Sequence, residues 1–378
     1  MMAVGVSFGF ARYGYGLFLP QLRAEFDLSV TAVGLIGAAT YAGYLLALIL
    51  VGALAARVGS RALITTGGLS AATGMTLVAL APGPALLATG LVLAGTSPGW
   101  IWAPYSDAAE RMLPAGMRER VLARIPSGTA FGVAIAGPLA LLTQGTTWRY
   151  AWLIFAAGGL AATLYNAWIL PAGTSPRSPG TPAGHRLTFR WFARRSAAPL
   201  YLTAAAYGVV GSVYWLFAVE SISSAGQSGA HTGALFWTLM GTAGTAAVVT
   251  GVVFDRLGLR RSHILIFTSM AIAVALLGLM PGAAVPVGLS ALLYGPSFMA
   301  GSALLAVWSY YVFPDRPTTG FSATVFCLGI GTLVGPATAG AAADQFGLSA
   351  TFLMTATVAI LTNLLRPRSD DREQTTAP

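Results

Sequence analysis

Residues 251–261 read Gly251-Val252-Val253-Phe254-Asp255-Arg256-Leu257-Gly258-Leu259-Arg260-Arg261, and residues 52–61 read Gly52-Ala53-Leu54-Ala55-Ala56-Arg57-Val58-Gly59-Ser60-Arg61. The two runs carry Gly, Arg, Gly and Arg at the same steps, 199 residues apart. Each falls between apolar stretches of about 20 residues, the length of helix that spans a bilayer core. A second landmark, Gly137-Pro138 and Gly335-Pro336, recurs 198 residues apart. Two landmarks at nearly one offset mark a duplicated unit.

Working outward, apolar stretches fill the chain. The hydropathy pattern places spans at 3–22, 32–55, 63–81, 84–106, 122–143 and 149–170, then at 199–222, 232–254, 263–281, 284–312, 320–342 and 348–366. This predicts an all-α membrane protein of twelve transmembrane helices in two pseudo-symmetric six-helix bundles. The organisation expected is an N-terminal bundle over 1–170, a Pro-, Gly-, Ser- and Arg-rich linker over 171–198, a C-terminal bundle over 199–366, and a polar, disordered tail over 367–378. Arg12 interrupts the first span and no basic run precedes it, so this span reads as a retained helix and not a cleaved leader.

Charge sets the orientation. The 378 residues include 21 basic and 12 acidic ones, and every basic residue is Arg. With the N-terminus inside, 18 of these arginines fall in inner loops, linker and tail. Arg23 and Arg149 fall outside, and Arg12 lies within a span. The positive-inside tendency therefore puts both termini in the cytoplasm. The net charge of +9 reflects this topology and not nucleic-acid binding. Without Lys there is neither a P-loop lysine nor a Schiff base, and the single Cys327 excludes a disulfide framework and a cysteine metal cluster. No nucleophile–base pair, metal constellation or cofactor motif is present, so an enzyme is not expected.

The paired loops resemble those of the major facilitator superfamily, and the resemblance extends over essentially the whole chain. The family signature, roughly G-x-L-A-D-R-x-G-R-R, is nearly complete over Gly251 to Arg261; in the first half Ala56 replaces its Asp. The resemblance implies cytoplasmic gating roles for Arg57, Gly59 and Arg61, and for Asp255, Arg256, Gly258 and Arg260, with the Ala56 lock weakened or shifted to the second half. Asp107, at the inner end of the fourth span, would pair with Arg57 or Arg61, or is a solvated helix-end charge. The fourth span lacks the Arg found in many proton-coupled drug exporters. The implied activity is secondary transport of a small organic solute by a monomer in the bacterial cytoplasmic membrane. Drug efflux and a non-transporting sensor are the alternatives.

The resemblance places spans one, four, seven and ten around the central cavity. Their candidate lining residues are Arg12, Tyr15, Trp102, Tyr105, Tyr207, Tyr214, Trp215, Tyr294 and Trp308, with Tyr41 and Tyr44 from span two. Rings with polar tips suit an organic solute, and they suit helix packing or an interface belt equally. Glu220 is the candidate carboxylate for a coupling proton, or is a solvated charge at a helix end. Arg12 is the sharpest signal. A mid-bilayer arginine costs about 2.5–3.5 kcal/mol on insertion scales, and the spans offer no obvious acidic partner. Either a substrate carboxylate or phosphate fills that role, or Tyr41, Tyr44 and helix carbonyls hold the guanidinium as packing.

Overall fold

The computed structural model describes residues 2–112, 127–143, 145–171, 173, 192, 194–226, 231–365 and 367, in which the chain is nearly all helix and has no strand. Eight helical segments there are long and apolar enough to cross a membrane, and two shorter apolar helices, Met2–Arg12 and Gly128–Leu142, join them. Two of the eight, Thr232–Leu279 and Thr319–Leu364, each hold two spans running on through a glycine, so the described residues make twelve crossings. These are α1 (2–26), α2 (Val30–Ala55), α3 (Arg57–Ala79), α4 (Pro84–Met112), α5 (Ser127–Leu142) and α6 (Trp148–Ile169). The second six are α7 (Ala198–Ser224), α8 (232–257), α9 (259–279), α10 (Ala284–Val312), α11 (317–346) and α12 (348–361). Most of the linker and tail, and the whole α4–α5 connection, lie outside the described residues.

Three hairpins turn on a glycine with almost the same backbone. Gly59 has φ 78° and ψ 163°, Gly258 has φ 74° and ψ 162°, and Gly347 has φ 83° and ψ 161°. That region is essentially closed to residues with a Cβ, so glycine lets two antiparallel helices join with no intervening loop. The Gly59 and Gly258 turns share one face of the bundle, here the signature-loop face. Gly347 lies on the far face, as the alternation of spans requires.

α1 is not one regular helix. After Met2–Val4 the stretch Gly5–Arg12 is a π-helix, closed by the Tyr13 N–H on the Phe8 carbonyl at 3.0 Å; Gly14–Leu17 and Leu19–Phe26 follow. Gly5 and Gly9 lie flush against the backbone of Gly128 and Gly132 of α5, where a Cβ would not fit. A wide π turn shifts the helical phase by about one residue, and such turns recur at functional sites. The core mixes alanines and aliphatics with large aromatics, of which Trp148, Trp152, Tyr214, Tyr294 and Phe217 are fully buried. Large aliphatics such as Leu46, Ile49 and Leu142 are exposed on the rim, as a lipid-facing surface requires.

The two bundles meet closely on the far half. A Cβ at Gly16 would overlap the Trp215 carbonyl, one at Gly34 the Pro336 carbonyl, and one at Gly137 the Ala234 carbonyl. Small residues let backbones touch where lipid supplies no hydrophobic drive. Arg23 of α1 forms an ion pair with Glu220 of α7 across this seam. The far face is closed.

Candidate functional site

Between the bundles lies a cavity of about 170 Å³. Its walls include Leu48, Thr129, Leu305 and Phe321, all on the signature-loop half of their helices, so the cavity extends toward that face. The Tyr13 ring of α1 stacks on Trp215 of α7 with centroids 4.1 Å apart and planes 15° apart. Beyond this stack a gap of about 10 Å³ continues toward the far face, lined by Arg12, Tyr15, Gly37, Thr40 and Leu216 among others. That is barely room for one water.

Among the described residues Arg12 is the only charged one lining the cavity. Its guanidinium carbon stands 4.5 Å from the Tyr41 ring centre and 4.4 Å from that of Tyr44, with Phe8 at 5.5 Å and Tyr13 at 5.9 Å. Cation–π contact with desolvated rings offsets part of the cost of burying the charge. The Nε atom is buried and makes no hydrogen bond. Among the described residues no carboxylate pairs with Arg12.

The candidate lining residues divide. Arg12, Tyr41, Tyr44, Tyr207 and Trp215 line the cavity. Tyr15 does not: its hydroxyl donates to the Val33 carbonyl at 3.2 Å, and the ring borders only the small gap. The π turn explains this, because it brings Tyr13 onto the face that a regular helix would have given to Tyr15. Tyr214 is fully buried inside the second bundle, bonded to Ser290 Oγ at 2.6 Å and stacked on Tyr294 at 3.5 Å. Tyr294 itself packs between Tyr214 and Phe298. Trp308 sits edge-on to His263, 5.7 Å away, behind the cavity wall. Tyr105 donates to Asn166 Oδ1 at 2.6 Å, tying α4 to α6. The Trp102 side chain lies outside the described part of the structure, as does that of Asp107.

Glu220 is 5% exposed, so it is not a solvated helix-end charge. Its Oε1 receives Arg23 and the Ser224 hydroxyl, and its Oε2 is buried without a partner. At the signature-loop face Arg57, Asp255, Arg256 and Arg260 are exposed and Arg61 is half-buried. None of them forms an ion pair within the described residues. Sequence reading passed over Tyr13, Phe298 and Ser302, which also line the cavity.

Twelve crossings in two bundles around a central cavity which, among the described residues, is open on one face and sealed on the other, define a multi-pass membrane transporter. The chain belongs to the major facilitator superfamily: residues 3–366 match the family described as "Uncharacterised MFS-type transporter YbfB". It is similar to a protein of Corynebacterium glutamicum named gentisate transporter, at 26% identity over 93% of this chain and 82% of the relative. It is also similar to the transcription regulatory protein OpdE of Pseudomonas aeruginosa, at 27% identity over 79% of this chain and 75% of the relative. The same fold occurs in the D-xylose-proton symporter (TM-score 0.80, 15% identity, 98% of this chain and 97% of that one). It occurs also in the nucleoside transporter NupG (TM-score 0.76, 12% identity, 100% and 97%).

Proposed function

We propose that the protein is a secondary transporter that carries a small organic anion across the bacterial cytoplasmic membrane by alternating access, with both termini in the cytoplasm. One observation carries the reading: a permanent charge, Arg12, faces the central cavity, ringed by tyrosines and paired with no carboxylate among the described residues. A guanidinium fork binds a carboxylate through two parallel, charge-assisted hydrogen bonds. The state described here is open to the signature-loop face, which the arginine distribution makes cytoplasmic. Rocking of the bundles would unstack Tyr13 from Trp215 and part Arg23 from Glu220, exposing the same arginine to the other side.

Gentisate is an organic anion, so the name of the Corynebacterium relative supports this choice. The cavity is smaller than the roughly 300–1,000 Å³ of sites for drug-sized ligands, which speaks against drug efflux. The other relative's name describes regulation; a charged site inside a sealed transport pathway favours transport over sensing alone. Glu220 serves as the coupling group in this proposal.

Uptake of a panel of radiolabelled organic anions and lipophilic cations into proteoliposomes, with and without a pH gradient, tests the reading. Arg12→Ala abolishes anion uptake at matched protein levels. Arg12→Lys retains the fold and loses most uptake, because an ammonium cannot reproduce the fork. Normal uptake by Arg12→Ala, or transport of cations alone, overturns it.

A further inference from the structure

Resting on the anion reading, we infer that the ligand of this cavity is a planar aromatic monocarboxylate carrying a ring hydroxyl, its carboxylate on Arg12 and its hydroxyl on the second bundle. Three features of the cavity converge on that chemistry.

The first is the charge count. Among the described residues Arg12 is the single charged one in the lining, and the rest of that wall is mostly apolar. One carboxylate is matched there; a second would enter a desolvated space with no cation to meet it.

The second is the shape of the walls. Eight described lining residues carry aromatic rings, several of them stacked in parallel pairs whose outer faces and edges are left to a ligand. Tyr13 lies parallel to Trp215 at 4.1 Å, and Tyr207 lies parallel to Phe298 at 5.0 Å, each pair within 15°. A planar ring can stack or meet edge-on with such walls, and gains over a puckered aliphatic ring of equal size.

The third is the direction of the hydroxyl groups. A hydroxyl has one hydrogen to give. Ser302 gives its hydrogen to the Met299 carbonyl at 2.8 Å, Thr324 to Gly320 at 3.0 Å, and Thr332 to Gly329 at 2.8 Å. Tyr207 gives its hydrogen to the Phe298 carbonyl. With these donors spent, the second-bundle wall has lone pairs to offer. It suits a ligand that donates there, while donation to the anion falls to Arg12 of the first bundle. Ser302 is the exposed member of the set and so the foremost acceptor.

Thermal-shift titrations of the purified full chain with defined compounds test this. Benzoate is expected to bind, and 3- or 4-hydroxybenzoate to bind several-fold tighter, up to about tenfold for one added hydrogen bond. Cyclohexanecarboxylate and phthalate bind more weakly than benzoate, and benzamide does not bind. Ser302→Ala removes the hydroxybenzoate advantage, so that in that variant the hydroxybenzoates bind no tighter than benzoate. Cyclohexanecarboxylate or phthalate equal to benzoate, or no hydroxyl advantage in either isomer, overturns the inference while leaving an organic anion as substrate. Benzamide equal to benzoate, or no carboxylate binding at all, overturns the anion reading beneath it.

Discussion

The Asp344 carboxylate accepts the backbone N–H of Thr31 at 2.9 Å, and that of Val30 at 3.3 Å. It thus reaches from the end of α11 to the first turn of α2, binding second bundle to first on the far face. Ser29 already caps α2 through Ala32, so Asp344 adds a negative charge where the helix dipole is positive. The stretch that places it, Gly340-Ala341-Ala342-Ala343-Asp344-Gln345-Phe346-Gly347, repeats the Gly, Asp and Gly steps of Gly251, Asp255 and Gly258. Its Gly347 has the same backbone, and its Gly340 packs against Val30 and Gly34. The Gly–Asp–Gly part of the signature therefore recurs without its arginines on the opposite side of the membrane, and there the Asp is engaged.

Asp344→Ala removes that capping charge and is expected to populate a far-open state. The reporter is Thr40→Cys, in the narrow gap beyond the Tyr13–Trp215 stack, on a Cys327→Ala background. An impermeant maleimide added from the far side should label it several-fold faster in the Asp344→Ala protein. Asp344→Asn should fall between, since it keeps an acceptor and loses a charge–dipole interaction of about 0.3–1 kcal/mol. Equal labelling in all three proteins means that Asp344 is not a latch.

The Arg23–Glu220 pair is asymmetric, and its mutants should be too. The Glu220 side chain is 6% exposed and that of Arg23 is 27% exposed. Arg23→Ala strands a buried carboxylate, a loss of about 3–5 kcal/mol for the closed state if the carboxylate stays charged. Glu220→Gln leaves an arginine that can turn to water, and should cost less. In proteoliposomes Glu220→Gln should abolish proton-driven accumulation and preserve counterflow exchange. Accumulation at the wild-type level removes Glu220 from coupling.

The architecture was legible because a span needs only length and apolarity, and because the repeated Gly–Arg–Gly–Arg steps locate equivalent hairpins. Arg12 was legible because a charge at that depth demands an explanation. The orientation of α1 was not. Counting 3.6 residues per turn from Phe8 leads to Tyr15, whereas the π turn delivers Tyr13; the available hint was the small-residue spacing Gly5 and Gly9, which admits the α5 backbone. Tyr214 and Tyr294 share helices with cavity residues, and composition does not say which side of α7 or α10 meets the partner bundle. Their hydroxyls settle inside the second bundle, on Ser290 and near the Gly211 carbonyl. The Asp344 contact is not legible in the sequence, because its stretch has no arginine after the Asp to mark it as a signature loop.

Tyr13 is accordingly predicted to matter through its ring. Tyr13→Phe keeps the stack on Trp215 and should transport near normally. Tyr13→Ala loses an aromatic pair worth about 0.5–1.5 kcal/mol beyond its buried area, and unseals the cavity. A raised leak of substrate down its gradient, with weaker coupling to pH, is the expected readout. A Phe variant as impaired as Ala would instead place the hydroxyl at the centre of the role.

Two glycines of α1 separate folding from conformational state. Gly9 contacts Gly132 inside the first bundle, and Gly16 contacts Trp215 across the seam between bundles. In both places an added methyl would overlap backbone, which cannot rotate away as a side chain can. At Gly9 the clash exists in every state, because α1 and α5 belong to one bundle. Gly9→Ala should therefore lower stability, by about 1–3 kcal/mol as for overpacked cores, and reduce the yield of folded protein. At Gly16 the clash exists only while the far face is closed, and parting of the bundles relieves it. Gly16→Ala should fold, resist heat nearly as well as wild type, and rest with the far face open. The Thr40→Cys reporter should then label rapidly without any change at Asp344. Cross-linking yield between cysteines placed at Arg23 and Glu220 should fall in parallel. If Gly16→Ala unfolds like Gly9→Ala, the seam is part of a rigid core and does not open there.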